Sequence, residues 1–256
     1  PAVLYAGNID VKQSVWNGHV RYDFTFDGSH ATIVCPDSVI SGKPWIWRPA
    51  FFGAFPSVDK ALLKKGFHVV FYDMTHRYGS PQAVEQGRKF YDYLLSAWHF
   101  SPKVTLEGFS RGGYYALNWA IANPDKVACL YPVCDMFSWP GEKSKLWNDF
   151  LKEWGMTSVD KDNFKGNPLD NLAPLASQQV PVIAVCGDSD RVVPFRDNMK
   201  LIRDRYQQLG APVELIIKPG ADHHPHSLEN PEPVVDFICR NQPDYQEKQY
   251  LNERGT

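Results

Sequence analysis

Residues 103–124 read KVTLEGFSRGGYYALNWAIANP, and this stretch decides the fold. It opens with a short apolar run typical of a buried strand and ends with an apolar segment long enough for a helix. Between them, residues 108–112 have the form G-x-S-x-G. In that form a serine occupies a sharp turn from strand to helix, where side chains two residues away on either side would clash. The stretch therefore predicts that Ser110 is presented as a nucleophile at the edge of a sheet.

The position of Ser110 also predicts how a reaction intermediate is stabilised. The turn places the serine at a helix N-terminus, where backbone N–H groups attract negative charge. We expect the backbone N–H of Arg111 to face an oxyanion that forms at the substrate. A serine hydroxyl is a poor nucleophile until a base removes its proton, and that base needs an orienting acid.

Helical and strand patterns alternate from residue 57 onward. An amphipathic segment at 57–66 precedes a continuous apolar run at 67–74, and Ser80-Pro81 has the form of an N-cap followed by proline at the first helical position. The later predicted elements are strands at 103–110, 126–134, 180–187 and 213–220 and a last helix that begins near Asn230-Pro231. Such alternation predicts a parallel sheet with helices on both faces.

The first third of the chain predicts antiparallel strands instead. Residues 11–16 and 19–26 alternate apolar and polar side chains around Asn17-Gly18, a pair that favours a two-residue hairpin turn. Asp27-Gly28 predicts a second turn. The predicted fold class is therefore α/β: one domain over residues 1–256, with a mostly parallel twisted sheet that is entered through an antiparallel meander.

Polar loops follow the last two predicted strands. GDSDRVVP at 187–194 offers carboxylates, and GADHHPH at 220–226 offers three histidines. Because parallel strands end at the same edge of a sheet, we expect both loops to lie near Ser110. Their order along the chain, serine then acid then histidine, suits a catalytic triad on such a sheet.

These motifs resemble the α/β-hydrolase superfamily, and more narrowly its serine esterase and prolyl-oligopeptidase-like branch. GFSRGG resembles the family's nucleophile turn, GDSDRVVP its G-x-x-D-x-x-V-P acid loop and GADH its G-x-x-H base loop. The similarity in element order covers about residues 30–240, although only these three motifs are specific. The resemblance implies Ser110 as nucleophile, Asp190 as acid and His223 as base.

The chain departs from the family at the oxyanion loop, where the frequent His-Gly pair is absent. WIWRP at 45–49 stands in its place, so we expect the second oxyanion donor to be a backbone N–H near Trp47 or Arg48. The alternative is that Trp45 and Trp47 only complete a face of the sheet.

Asp73, His76 and Arg77 follow a predicted parallel strand and are expected first of all to cap their own loop. The alternative is that they join Arg48 and Arg111 in a cationic pocket suited to a substrate that carries a carboxylate. Arg48 is therefore expected among the substrate-binding residues.

Other residues compete for the roles of acid and base. Asp188 is expected to cap its own loop, and Asp135, which follows an earlier strand, is a weaker candidate acid. His224 precedes Pro225, which favours an extended backbone, and we expect it in the wall of the substrate pocket. His226 lies nearer the last helix and is expected to be hydrogen-bonded within the loop.

The same loop raises the question of a metal site built from Asp222, His223, His224 and His226. Zinc ligands usually come from separate segments or from i, i+4 positions on a helix. Adjacent histidines such as His223 and His224 are not expected to point at one ion. We therefore predict no metal and no other cofactor.

Residues 135–179 interrupt the alternation between two predicted strands. WNDFLKEW at 147–154 places Trp147 and Trp154 on one helical face, which either seats the helix on the core or belongs to a cap. A cap would lie over the C-terminal edge of the sheet, where sheets of this kind bind ligands. The interruption is interpreted as a small helical cap, and Trp139 as a substrate-binding residue.

Composition and charge argue against several classes of function. The net charge is −2 with no long basic run, which argues against a nucleic-acid or anionic-membrane surface. No apolar stretch approaches the roughly 20 residues that span a bilayer, and residues 1–10 lack the pattern of a signal peptide. The five cysteines lie in or beside apolar runs without a C-x-x-C pair and are expected to be buried thiols. Compartment and oligomeric state stay open.

We therefore expect a serine carboxylester hydrolase that forms an acyl-enzyme from small or carbohydrate-linked esters, acetyl or methyl. A serine peptidase of the oligopeptidase-like branch is the alternative enzyme, since the choice between the two rests on fold-level analogy. A non-catalytic ligand-binding protein is the alternative from another class, although residues suited to all three catalytic roles are present.

Overall fold

The computed structural model describes residues 9–133, 145–158, 163–243 and 245. In those residues nine strands form one sheet in the order β1-β2-β3-β5-β4-β6-β7-β8-β9. The strands are β1 (Val11–Trp16), β2 (His19–Phe26), β3 (Ser29–Val34), β4 (Trp45–Arg48), β5 (His68–Tyr72), β6 (Val104–Phe109), β7 (Val127–Val133), β8 (Val182–Gly187) and β9 (Val213–Lys218). The α-helices are α1 (Ser57–Lys64), α2 (Pro81–Tyr93), α3 (Gly112–Ala122), α4 (Lys145–Glu153), α5 (Ala173–Ser177), α6 (Met199–Gln208) and α7 (Glu232–Asn241).

The first three strands form the predicted antiparallel meander. Asn17 and Gly18 both have positive φ, at 49° and 88°, as do Asp27 and Gly28, at 44° and 79°. Two-residue turns with positive φ at both positions match the twist of the strands that they join. β3 then pairs antiparallel with β5, which joins the meander to the rest of the sheet.

From β5 onward the sheet is parallel, as the alternation of helices and strands predicts. β4 lies between β5 and β6, and β7, β8 and β9 follow in the same direction. The carboxyl ends of β6, β8 and β9 therefore lie at one edge of the sheet, where the loops that carry the three motifs begin. The predicted α/β class is confirmed.

Two apolar layers cover the faces of the sheet. Trp45 and Trp47 of β4 pack in the layer that holds α2, α3, α5 and α6, whereas Ile46 packs in the layer that holds α1 and α7. Neighbouring residues divide in this way because successive side chains of a strand point to opposite faces. Both faces of the central strands are buried, so the strands read as continuous apolar runs.

Helix α4 lies in the interruption between β7 and β8. Phe150 is fully buried against Tyr78, Tyr114 and Trp154, in a small apolar cluster that is separate from the two layers on the sheet. Residues 134–144 and 159–162 lie outside the described residues, and Trp139 is among them. The interpretation of residues 135–179 as a cap therefore stays a proposal.

Two further expectations concern membranes and cysteines. Among the described residues, no helix combines the length and the apolar character needed to cross a bilayer. Cys129 and Cys239 are buried thiols, and Cys35 is a partly buried one. Burial raises the pKa of Cys35 and of Cys239 to about 11, so both are protonated near neutral pH.

Gly87 allows α2 and α3 to pack closely, and its replacement tests that packing. A Cβ at residue 87 would lie 1.9 Å from Oη of Tyr115 and 2.9 Å from the ring of Trp119. In an unconstrained helix interior, glycine to alanine stabilises by about 1 kcal/mol. We expect Gly87→Ala instead to lower the free energy of unfolding by about 2 kcal/mol, because buried aromatic side chains must move.

Urea denaturation measures this change, and the exposed Lys89 on the same helix provides the control. Lys89→Ala should alter the free energy of unfolding by less than about 0.5 kcal/mol. A stabilised Gly87→Ala protein would contradict the close approach of α2 and α3.

Candidate active site

Ser110 occupies a strained turn at the end of β6. Its φ of +51° lies in the left-handed region, which residues other than glycine seldom adopt. Ser110 N–H donates to the carbonyl of Val133 at 3.3 Å, and Gly113 N–H donates to the carbonyl of Ser110 at 3.1 Å. A Cβ on Gly112 would lie 2.7 Å from Cβ of Ala50, so the turn needs glycine there. The backbone has the strand–turn–helix form that the G-x-S-x-G pattern predicts.

Three side chains form a hydrogen-bonded line at this turn. Ser110 Oγ lies 3.2 Å from Nε2 of His223, and Nδ1 of His223 lies 2.7 Å from Oδ2 of Asp190. When Nδ1 donates to an ionised Asp190, Nε2 is left to accept a hydrogen bond from the serine hydroxyl. His223 and Asp190 are only 5% and 6% exposed, so their contact is shielded from water. This arrangement can serve as nucleophile, base and orienting acid.

Asp190 is oriented by its own loop. Its Oδ1 accepts hydrogen bonds from the backbone N–H groups of Val192 at 2.8 Å and Val193 at 2.7 Å. Hydrogen bonds to an ionised acceptor are stronger than neutral ones. They hold Oδ2 toward Nδ1 of His223 before any substrate binds.

The other candidate acids are placed differently. Asp188 accepts hydrogen bonds from Gly220 N–H at 2.7 Å and from Ser189 Oγ at 3.0 Å, so it joins its own loop to the end of β9. It makes no hydrogen bond to a histidine in the part of the chain that the structure describes. Asp135 lies outside the described residues. The geometry favours Asp190.

Asp222 holds the acid loop against the base loop. Its Oδ1 accepts from the N–H groups of Arg191 at 2.9 Å and His223 at 2.8 Å, and its Oδ2 accepts from Nε of Arg191 at 2.6 Å. The backbone N–H groups of Arg191 and His223, and then the Arg191 side chain, lower the pKa of Asp222 to about 2. The sequence motifs suggest only a metal-binding role for Asp222. In the sequence, Asp222 directly precedes the base His223, and Arg191 directly follows the acid Asp190. An acidic and a basic residue beside the two catalytic candidates are the signal that could have indicated this contact.

The other two histidines of the base loop lie in different environments. His224 is exposed, and its ring stacks on that of Phe55 with the centroids 5.8 Å apart. His226 is buried against Phe55, Phe109 and the ring of His223. Contrary to expectation, His226 forms no hydrogen bond within the described residues, and its Nδ1 is a buried atom without a partner. Burial, and then His223 and His224, lower the pKa of His226 to about 3.

The sequence model of the prolyl oligopeptidase family matches residues 65–241, which is more than half of the chain. The chain belongs to the prolyl oligopeptidase family. The resemblance seen in GFSRGG, GDSDRVVP and GADH is thereby confirmed.

Solved structures of the same fold are similar to this family member over most of its length. A zinc-bound cold-adapted esterase from an Arctic intertidal metagenomic library aligns with a TM-score of 0.63 at 15% identity, covering 92% of this chain and 100% of the esterase. Dipeptidyl peptidase 4 of Porphyromonas gingivalis aligns with a TM-score of 0.60 at 14% identity, covering 90% of this chain and 35% of the peptidase. Acylaminoacyl peptidase of Pyrococcus horikoshii aligns with a TM-score of 0.60 at 14% identity, and the alignment covers 86% of this chain and 38% of the peptidase. The fold is that of an α/β-hydrolase, and with the family it makes the chain a serine hydrolase.

Trp47 does not supply the second oxyanion donor that was expected in this member of the prolyl oligopeptidase family. It lies inside β4, paired with Val70 of β5 on one side and with Leu106 of β6 on the other. The backbone of a central strand is committed to its two neighbouring strands. The ring of Trp47 is fully buried, with its centroid 5.0 Å from that of Trp119. The expectation is wrong because β4 extends to Arg48, and the loop begins only after it.

Arg48 is not available to a substrate either. Its side chain is 0% exposed, and its guanidinium donates to Asp59 and to the carbonyl of Ala54. The same guanidinium lies 4.1 Å from the ring of Phe109, the residue before the nucleophile. Arg48 therefore supports the nucleophile turn from inside the core. It does not contribute to a cationic substrate pocket, contrary to the expectation from the sequence.

Glu107 completes a buried ionic cluster with Arg48 and Asp59. Glu107 and Asp59 are each 1% exposed, and the Glu107 carboxyl lies 3.9 Å from the Arg48 guanidinium. Burial, and then repulsion from Asp59, raise the pKa of Glu107 well above its usual range. Glu107 is therefore the carboxyl group of the cluster that keeps its proton, and Asp59 is the one that accepts the hydrogen bond from Arg48. A charged residue within each of the apolar strands WIWR and VTLEGF is the sequence signal for this cluster.

The loop after β4 packs directly against the nucleophile turn. Ala50 faces Gly112, and the guanidinium of Arg111 lies 5.1 Å from the ring of Phe51. Phe51 has a φ of +54°, so the chain turns sharply at this residue. Within the described residues, neither Phe51 N–H nor Arg111 N–H forms a hydrogen bond. Among the described residues the N–H groups of Ala50 and Phe52 form no hydrogen bond either, so the loop offers several unpaired donors beside the turn, whereas the sequence motifs indicate only the one at Arg111.

We expect Glu107→Gln to change how stability depends on pH. Folded Glu107 keeps its proton, whereas in the unfolded chain a glutamate ionises above about pH 4.3. Above that pH the folded state binds the extra proton, so the contribution of this group to stability falls as pH rises. Glutamine cannot ionise. The free energy of unfolding of Glu107→Gln, relative to the wild type, should therefore rise between pH 5 and pH 8.

Urea denaturation at several pH values measures this difference. Glu232→Gln, which changes an exposed glutamate at the start of α7, is the control and should keep the wild-type dependence on pH. If Glu107→Gln also followed the wild type at every pH, the protonated state assigned to Glu107 would be wrong.

Proposed function

We propose that this serine hydrolase is a carboxylester hydrolase that acts through Ser110, His223, Asp190 and a covalent acyl-enzyme. The observation that carries the proposal is the hydrogen-bonded line from Ser110 through His223 to Asp190, with distances of 3.2 and 2.7 Å. A serine on a strained turn, a base within reach of its hydroxyl and a buried acid that orients the base are the parts that acyl transfer needs.

The first half of the reaction forms the acyl-enzyme. As Ser110 Oγ attacks the ester carbonyl, Nε2 of His223 takes the hydroxyl proton, and the charge of Asp190 stabilises the imidazolium. The imidazolium then donates that proton to the leaving alcohol as the C–O bond breaks. In the second half, water attacks the acyl group, His223 takes a proton from the water and returns it to Ser110 Oγ, and the carboxylic acid leaves.

The oxyanion of each tetrahedral intermediate is bound by two backbone N–H groups, those of Arg111 and Phe51. Both donors are unpaired within the described residues, and the packing of Ala50 on Gly112 holds their loops together. Donors that are already oriented stabilise developing charge without reorganising during the reaction. Phe51 thus takes the role first assigned to Trp47.

The oxyanion assignment predicts the structure of a covalent adduct. When a fluorophosphonate reacts with Ser110, one phosphonyl oxygen takes the place of the oxyanion. We expect a crystal structure of the adduct to show this oxygen about 2.7–3.1 Å from both the Arg111 and the Phe51 nitrogen atoms. An oxygen bound by Arg111 N–H and by a group other than Phe51 would contradict the assignment.

Small or carbohydrate-linked esters, acetyl or methyl, are the substrates that we propose. A surface cavity of about 480 Å³ adjoins the base loop, but among the described residues its lining includes neither Ser110 nor His223, so the cavity does not select a substrate class. The cavity is lined in part by Phe55, Lys60, Lys218, Pro225, His226 and Leu228. His224 does not line this cavity; its role as a wall residue is proposed from its exposed position next to His223. The alignment with an esterase over the whole length of that esterase supports esters.

A serine peptidase is the second candidate. The family to which the chain belongs and the two peptidases of the same fold favour it. The same histidine can protonate the amine that leaves from an amide, so the triad alone does not separate esters from peptides.

We expect p-nitrophenyl acetate to be hydrolysed, and Ser110→Ala and His223→Ala each to lower kcat by about 10⁴-fold or more, since the triad acts as a unit. Colorimetric assays with nitrophenyl esters and aminoacyl nitroanilides measure both activities. His30 is a half-exposed histidine of β3, so His30→Ala is the control and should retain wild-type turnover. Turnover of the anilides without turnover of the esters would show a peptidase. A large loss of kcat in His224→Ala together with a small loss in His223→Ala would refute the assignment of His223 as the base.

A further inference from the structure

The base loop brings three histidine rings together beside the nucleophile. The ring centroids of His223 and His226 are 4.4 Å apart, those of His224 and His226 are 4.5 Å apart, and those of His223 and His224 are 5.0 Å apart. One nitrogen atom from each ring lies within 4.8 Å of the nitrogen atoms of the other two. The adjacency of His223 and His224 was the sequence argument against a shared ion, but their nitrogen atoms lie within this distance of each other.

Most of the nitrogen atoms in the cluster have no competing partner. Neither His224 nor His226 forms a hydrogen bond within the described residues, and Nδ1 of His226 is buried without a partner although that residue is only 8% exposed. Buried polar atoms of this kind are uncommon and call for an explanation such as an ion. His223 Nε2 is held only by the 3.2 Å contact with Ser110 Oγ.

We propose that His223, His224 and His226 bind a divalent transition-metal ion such as Zn²⁺, and that the bound ion blocks hydrolysis. Imidazole nitrogen is a preferred ligand of zinc, copper and nickel. Tetrahedral Zn²⁺ with Zn–N bonds of about 2.0–2.1 Å places its ligand nitrogens about 3.4 Å apart. The separations of up to 4.8 Å therefore have to shorten by about 1.4 Å at most, and the exposed His224 can rotate toward the two buried rings. Water fills the fourth position.

Asp190 favours His223 as a ligand. It accepts a hydrogen bond from Nδ1 at 2.7 Å, so Nε2 is the nitrogen of His223 whose lone pair remains for an ion. A carboxylate behind a metal-binding histidine in this way fixes the ring and raises its basicity. The ion takes the Nε2 lone pair that would otherwise accept the Ser110 proton, so the metal and the catalytic proton compete for one atom. Inhibition by the metal rests on the proposed function, whereas metal binding itself does not.

Calorimetric titration with ZnCl₂ tests the site without reference to catalysis. The protein is the Ser110→Ala variant without an affinity tag, freed of metal by chelation. We expect one Zn²⁺ per chain, and His224→Ala in the same background should weaken binding by about tenfold or more. His30→Ala should bind as tightly as its parent, and MgCl₂ should give no binding, because Mg²⁺ prefers oxygen ligands. Absence of zinc binding, or equal affinity in His224→Ala, would overturn the site.

Inhibition of the wild-type enzyme tests the second part of the proposal. We expect ZnCl₂ to stop hydrolysis of p-nitrophenyl acetate in the concentration range of the measured Kd, EDTA to restore it, and His30→Ala to be inhibited equally. A protein that binds zinc at the three histidines but keeps its full rate would refute the block. If the wild type hydrolyses no ester, the proposed function fails, and the calorimetry still decides whether the metal site exists.

Discussion

The site depends on one backbone constraint, the left-handed conformation of Ser110 between β6 and α3. A serine in this conformation is strained, so the surrounding structure must hold it. The carbonyl of Val133 and the N–H of Gly113 bind the turn on either side, and Ala50 closes on Gly112 where no side chain fits. The same contact with Ala50 brings the loop after β4 to the nucleophile. One strained residue therefore determines where the hydroxyl points and which backbone donors lie near it.

Beneath this turn lies an ionic cluster that no solvent reaches. Arg48 packs on the ring of Phe109 and pairs with Asp59, while Glu107 keeps a proton beside them. Buried charges are costly unless they are paired and hydrogen-bonded. The cluster meets that condition only in part: Arg48 is paired with Asp59, whereas Nε of Arg48, Oδ1 of Asp59 and Oε2 of Glu107 have no hydrogen-bond partner among the described residues. It ties β4, β6 and α1 together directly below the nucleophile. Residues that look like binding groups in the sequence are thus part of the support of the turn.

The acid and the base reach the nucleophile because β8 and β9 are neighbouring parallel strands. Their loops leave the same edge of the sheet, and Asp222 binds the backbone of both. Such a clamp limits the separation of Asp190 and His223 more tightly than strand order does. The same short loop holds His223, His224 and His226 close together. The conformation of this loop therefore both orients the base and brings the three rings together.

Local patterns in the sequence were sufficient for the hairpin turns, the parallel strands, the nucleophile turn and the order of Ser110, Asp190 and His223. Each of these depends on residues close together in the chain or on strand order, which a motif records. The burial of Trp47 and Arg48, the donor at Phe51 and the meeting of three histidine rings were decided only by the tertiary structure. They depend on where β4 ends, on what packs over it and on side-chain directions set by distant loops, and no spacing along the chain encodes those contacts.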